Sequence, residues 1–200
     1  MDVVKRPIRQ ALEAQRAAQD PALLMYRDQS LIAALLATPQ WQSAPAIAAF
    51  LGGPGEPDTT ALLDAAWASG KTMWLPRLYG NVLRFVATTS RAQLVATTGG
   101  RLEPAISGSS PPRMLAEIVP PMMLVPGLGF SRSGARLGTG RGDYDRTLAP
   151  VLARTDIWRV GVCHATFLDP PLFPIPMAAH DVPMHAVATE YGVVACTPGQ

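Results

Sequence analysis

Between residues 122 and 154 the chain lays out a connection that only a few architectures accommodate. A short apolar run, 122–125, stops abruptly at Pro126-Gly127. A polar loop follows, and then Gly138, Gly140 and Gly142 alternate with other residues directly ahead of a helical pattern over 144–154. A strand that ends in a glycine-rich loop and passes into a helix is half of a β–α–β unit, and such units build parallel sheets. Alternating glycines let the backbone approach an anion with N–H groups turned inward. A following helix adds unsatisfied N–H groups and the positive end of its dipole. Arg136 and Arg141 flank the stretch, and Asp145 stands where a carboxylate can hold a divalent cation.

The GxGxG spacing is neither the dinucleotide fingerprint nor a P-loop, and a long loop separates it from its strand. Glycines alone leave a plain tight turn and a phosphate site about equally open; the two arginines and Asp145 favour phosphate.

The rest of the chain fits around this unit. Helical patterns are predicted over 4–19, with Pro7 in the first turn, over 21–37, and from Asp58, Thr59 or Thr60 to Gly70. Strands are predicted over 44–51, 71–78, 81–88, 158–164 and 186–190. Residues 89–121 hold turn clusters without a sustained period, as an excursion or flap over the sheet would. Strands alternating with helices give an α/β protein with a largely parallel sheet covered on both faces. Ligands in such sheets bind beyond the carboxyl ends of the strands, where the glycine loop lies.

With 200 residues, 48% hydrophobic and 16% charged, the chain is an ordinary globular one, expected to form one domain. A net charge of +2 gives no nucleic-acid footprint. No apolar run approaches the ~18 residues of a membrane span, and no signal segment is read at the start, so a cytoplasmic protein is expected. Cys163 and Cys196 form no metal or redox motif and read as buried thiols. His164, His180 and His185 lack metal spacing and read as structural or surface residues. Lys5 and Arg9, four apart, share a helix face, either as a solvated basic stripe or as a pair of ligand cations. Glu56 sits in a glycine- and proline-rich loop, where a lone acid is ordinarily solvated. Asp181 gains meaning only beside Asp145: two carboxylates suffice for Mg²⁺ when phosphate oxygens and waters complete its shell.

LVPGLGF followed by GARLGTGRGDYDRTLA resembles the C-terminal signature of the 5-formyltetrahydrofolate cyclo-ligase (5,10-methenyltetrahydrofolate synthetase) family. Weaker similarities precede and follow it in the right order. Lys5 and Arg9 stand as a K-x-x-x-R, Glu56 and Thr59 as an E-x-x-T loop, Leu75-Pro76-Arg77 as a strand ending in proline, Leu102-Glu103-Pro104 as an E-P pair, and His180-Asp181 as a late H-D.

The resemblance implies a three-layer α/β/α sandwich with an open, largely parallel, Rossmann-like sheet. It also implies an ATP- and Mg²⁺-dependent ligase acting on a folate, as a monomer or weak dimer without nucleic-acid or membrane partners. Lys5, Arg9 and Arg136 are then expected to neutralise ATP phosphates. The segment Leu137, Gly138, Thr139, Gly140, Arg141, Gly142, Asp143 and Tyr144 would form the ATP cradle, with Arg136 and Arg141 serving catalysis. Asp145 and Asp181 would bind Mg²⁺, and Glu56 would face the pterin. Two positions depart from the family pattern. Asp143 stands where an aromatic is usual, and it would repel phosphates unless a metal or Arg141 compensates. The loop after Phe130 lacks a frequent aspartate. Two other readings are a nonenzymatic nucleotide- or folate-binding paralogue and a ligase for a different N-formyl substrate.

Overall fold

The computed structural model describes residues 2–97, 102–178 and 181–197. Two helices open the chain, α1 (Asp2–Ala17) and α2 (Pro21–Leu36). α1 begins two residues earlier than predicted, so Pro7 lies inside it and leaves one backbone carbonyl without its helical donor. α2 starts where Asp20 accepts the Ala22 N–H at 2.9 Å and Pro21 presets the first turn. A short α3 (Pro39–Ser43) is capped by Thr38 and buries Trp41. Next come β1 (Ala46–Ala48), α4 (Thr60–Ala68), β2 (Thr72–Tyr79) and β3 (Val82–Thr88). Of the three candidate caps for α4, Asp58 accepts the Thr60 N–H at 2.9 Å, while the Thr59 hydroxyl donates instead to the Phe50 carbonyl at 2.6 Å.

The stretch without a clear period forms a small antiparallel ribbon, β4 (Leu94–Ala96) with β5 (Leu102–Pro104), then a single turn, α5 (Leu115–Ile118). Arg77 fastens the ribbon to β2, donating to the Pro104 carbonyl at 3.0 Å and pairing with Glu103 at 3.1 Å. The chain continues through β6 (Met122–Pro126), a two-residue ribbon of β7 (Gly129–Phe130) and β8 (Arg136–Leu137), α6 (Asp143–Leu148), β9 (Trp158–Val162), β10 (Ala186–Thr189) and β11 (Gly192–Ala195).

The main sheet has seven strands in the order β11-β10-β9-β6-β1-β2-β3. The five central strands are parallel, and β3 and β11 close the ends as antiparallel hairpin partners. β11 is an addition to the expected strand set. Side chains alternate across the sheet: Met122 and Leu124 join one core, Met123 and Val125 the other. Leu31 and Leu35 of α2 with Leu62, Leu63 and Ala66 of α4 cover the first face. Leu12 of α1, Leu115 of α5 and Leu148 of α6 cover the second. This is the three-layer, largely parallel α/β arrangement expected. Each fully buried leucine contributes roughly 1.5–3 kcal/mol.

Strand order also locates a crevice. β1 and β6 are neighbours, but the chain leaves β1 through α4 on one face toward β2, and leaves β6 through α6 on the other face toward β9. Connections that diverge from adjacent parallel strands open a gap at their carboxyl ends.

Candidate active site

The gap is a cleft of about 980 Å³, bounded by the loop after β1, the loop after β6, one face of α1 and the lip formed by β5. Helical spacing accounts for the α1 contribution. Lys5, Arg9, Leu12 and Arg16 recur every three or four residues, so they share the face turned to the sheet. Leu12 seats this face in the core, and the three cations project along the cleft wall.

Arg16 ties both loops to α1. Its side chain is buried, with Nη2 donating to the Gly127 carbonyl at 2.6 Å and Nη1 to Glu56 Oε1 at 3.3 Å. The guanidinium also lies over the Phe167 ring at 5.4 Å, while its Nε has no hydrogen-bond partner among the described residues. Burial lowers the Arg16 pKa, and the Glu56 carboxylate acts against that shift. Glu56 is fixed further by the Gly53 N–H, which donates to Oε2 at 2.9 Å. Gly55 makes the approach possible: its φ is +71°, and a Cβ there would stand 2.4 Å from Arg16 Cγ.

At the other end, the β7–β8 ribbon delivers Arg136, whose side chain is buried. It pairs with Asp145, donates to the Pro126 carbonyl at 3.4 Å and lies over the Tyr144 ring at 5.6 Å. Arg9 Nε donates to the Gly138 carbonyl at 3.0 Å. Gly140, at φ +93°, would place a Cβ 3.2 Å from Arg9 Cζ, so the close passage of loop and guanidinium depends on its missing side chain. Lys5 Nζ stands 2.7 Å from Asp181 Oδ2, which also accepts the Ala178 N–H at 2.7 Å. Asp143 is held by Arg141 at 2.6 Å and by Arg146 at 3.0 Å.

The residues expected to hold ATP, metal or pterin all line this cleft, including Thr139 and Gly142. Leu137 belongs at the same time to the core beneath it. The predicted helix over 144–154 is much shorter: α6 ends at Leu148, and Ala149–Val151 tightens into a 3₁₀ turn. Pro150 has no N–H to bond the Arg146 carbonyl, which stops the α-helix there.

His164 and His185 line no part of the cleft, and His180 falls outside the described residues. His164 is fully buried and bonds Asp28 at 2.8 Å; His185 accepts the Arg159 N–H at 3.0 Å. Cys163 is buried with its thiol pKa pushed up, and Cys196 is raised to about 11, both chiefly by burial. Neither is a nucleophile near neutrality.

Among the charged lining residues, Glu13, Arg16 and Glu103 are those to which the sequence assigned no role. The signal for Arg16 was its place on the helix face of Lys5 and Arg9. For Glu103 it was the E-P pair.

A site rich in arginines, backbone donors and carboxylates, with no positioned nucleophile among the described residues, is built to hold and neutralise anionic groups. Comparison with known proteins gives the family. The family model for the 5-formyltetrahydrofolate cyclo-ligase family matches residues 2–190.

The chain belongs to that family. It is therefore a ligase of the cyclo-ligase class, forming a carbon–nitrogen bond.

It is 34% identical over 161 residues to the 5-formyltetrahydrofolate cyclo-ligase of Mycolicibacterium smegmatis, covering 76% of this chain and 78% of that protein. It is 28% identical over 192 residues to that of Escherichia coli K12, covering 89% and 96%. Among solved structures it resembles Aquifex aeolicus 5,10-methenyltetrahydrofolate synthetase, with a TM-score of 0.80, 25% identity and coverage of 98% and 95% of the two chains. No helix among the described residues is long and apolar enough to cross a membrane.

Proposed function

We propose that the protein converts 5-formyltetrahydrofolate to 5,10-methenyltetrahydrofolate while ATP is consumed to ADP and phosphate. The observation that carries the reading is the convergence on one cleft of cations and carboxylates from far-apart segments, in a chain of the cyclo-ligase family. In the proposed reaction the formyl oxygen attacks the γ-phosphorus of ATP and ADP departs. The formyl carbon, now an iminium phosphate on N5, is attacked by N10, which gives up its proton to solvent, and phosphate leaves as the ring closes.

Such a transfer needs positioning and charge neutralisation more than covalent help. Lys5, Arg9, Arg136 and Arg141 supply the positive charge along the phosphates. Arg136 is buried and braced by the Pro126 carbonyl, so little reorganisation accompanies the reaction. The Gly138–Gly142 backbone follows the phosphate chain. Glu56, held by Arg16 and the Gly53 N–H, presents a fixed carboxylate edge to the pterin's N–H donors.

The donor set fits Mg²⁺. Asp145 and Asp181 are hard oxygen donors, each now paired with a cation that arriving phosphates would engage, which releases the carboxylate. Bound there, the ion would neutralise charge on the phosphate oxygens. Two cysteines held as free thiols accord with a cytoplasmic setting.

Incubating the purified protein with 5-formyltetrahydrofolate, ATP and Mg²⁺ tests the reading. The methenyl chromophore and ADP should accumulate together. Folded protein that yields neither is inconsistent with this function.

A further inference from the structure

Asp143 places a carboxylate inside the proposed phosphate cradle, where simple electrostatics predicts repulsion of a nucleotide. Its surroundings reverse that expectation. Only 12% of the Asp143 side chain is exposed. Oδ2 accepts from Arg141 Nε at 2.8 Å and Nη2 at 2.6 Å, and Oδ1 accepts from Arg146 Nη2 at 3.0 Å. Arg146 extends the network, donating to the Arg141 carbonyl at 2.9 Å and, from Nε, to the Asn81 carbonyl in the β2–β3 turn at 2.8 Å. The cradle segment 141–146 is thereby closed on itself and fastened to a neighbouring hairpin.

We propose that Asp143 is a positioning residue for nucleotide binding, holding Arg141 and Arg146 together so that the cradle keeps a net positive charge in a fixed geometry. The inference rests on the nucleotide-binding reading above. Two guanidinium groups against one carboxylate leave the cluster positive, and at similar range two attractions outweigh one repulsion. Without the carboxylate, Arg141 and Arg146 are neighbouring like charges that separate into solvent, and phosphate binding must then pay to order them. The bonds of Arg141 to Asp143 use Nε and Nη2, leaving the guanidinium's other donors for a ligand. Arg146 acts through its grip on Asp143 and the Arg141 carbonyl, since it does not itself line the cleft.

Mere repulsion and positioning predict opposite signs. Calorimetric titration of AMP-PNP with Mg²⁺ into the wild type, Asp143→Asn, Asp143→Glu and Arg146→Met separates them. Positioning predicts that Asp143→Asn and Arg146→Met weaken binding about five- to tenfold, in keeping with the loss of a charge-assisted network. In turnover, the KM for ATP should rise, and Asp143→Glu should restore much of the loss. In the ligand-free protein, amide exchange across residues 140–146 should accelerate in Asp143→Asn. Equal or tighter nucleotide binding by Asp143→Asn, or unchanged exchange there, overturns the inference while leaving the nucleotide site intact. A folded wild type that binds no nucleotide overturns both.

Discussion

Lys5 and Asp181 lie 176 positions apart in sequence and meet at 2.7 Å on the cleft wall, with 11% and 9% of their side chains exposed. The pair joins the first helix to the loop before β10, and each member is a candidate ligand group for a different partner, phosphate or metal. Lys5→Met should therefore raise the KM for ATP by about tenfold or more and cost about 1–2 kcal/mol of stability, since it removes the cation from a mostly buried carboxylate that keeps the Ala178 N–H. Adding Asp181→Asn should recover part of the stability and none of the turnover. Urea denaturation and steady-state kinetics on the three proteins check this.

Arg16 sets up a different outcome. Replacing it with Met removes the donor to both Glu56 and the Gly127 carbonyl, so a stability loss of about 2–3 kcal/mol is expected. The KM for the folate should rise more than that for ATP, because Glu56 loses its brace. Arg16→Lys keeps a charge but cannot span both acceptors as a planar fork, and it should rescue stability only in part.

For Asp145, the side chain is 43% exposed and its ion pair with Arg136 is solvent-screened. Asp145→Asn should cost less than ~1 kcal/mol in stability, while turnover falls steeply and needs far more Mg²⁺ to recover. Thermal melts and a Mg²⁺ titration of the rate distinguish this from a structural role, which would lower the melting temperature and leave the Mg²⁺ response unchanged.

A pH effect should come from outside the cleft. Burial, reinforced by the charge of Arg159, lowers the His185 pKa below its ordinary value. The folded state thus favours the neutral ring, and the unfolded chain takes up the proton first as pH falls. The stability linked to His185 is complete above its unfolded pKa of about 6.5 and is lost as pH drops through the folded value. Comparing denaturation at pH 7.5 and 5.5, His185→Gln should flatten the dependence seen in the wild type.

Much of the framework was readable because local chemistry and tertiary role agree. The 122–125 run, the Pro126-Gly127 stop and the helix start at Pro21 each carry their own signal. The failures have local causes too. β1 is shorter than its apolar run, since apolar residues beyond Ala48 are buried without extending the ladder. β11 is a four-residue edge whose pairing is made by its hairpin partner rather than by its own pattern. Within the cleft, residue types were legible while pairings were not. Nothing in the order of the chain joins Arg16 to Glu56 or Lys5 to Asp181. The compensation of Asp143 was visible only in part: Arg141 was read as a counter-charge, but Arg146, three residues on along α6, was not.

The contacts of α1 have a thermodynamic consequence. Lys5, Arg9 and Arg16 reach Asp181, the Gly138 carbonyl, and Glu56 with the Gly127 carbonyl, so docking of this one helix and completion of the cleft are a single equilibrium. A ligand that engages Lys5 and Arg9 binds only the docked form, and occupancy must hold the helix in place by the same free energy that docking lends to binding. At a hundredfold excess over Kd that linkage amounts to ~2.7 kcal/mol. Resistance of the amino-terminal segment to proteolysis thus becomes a gauge of how full the site is.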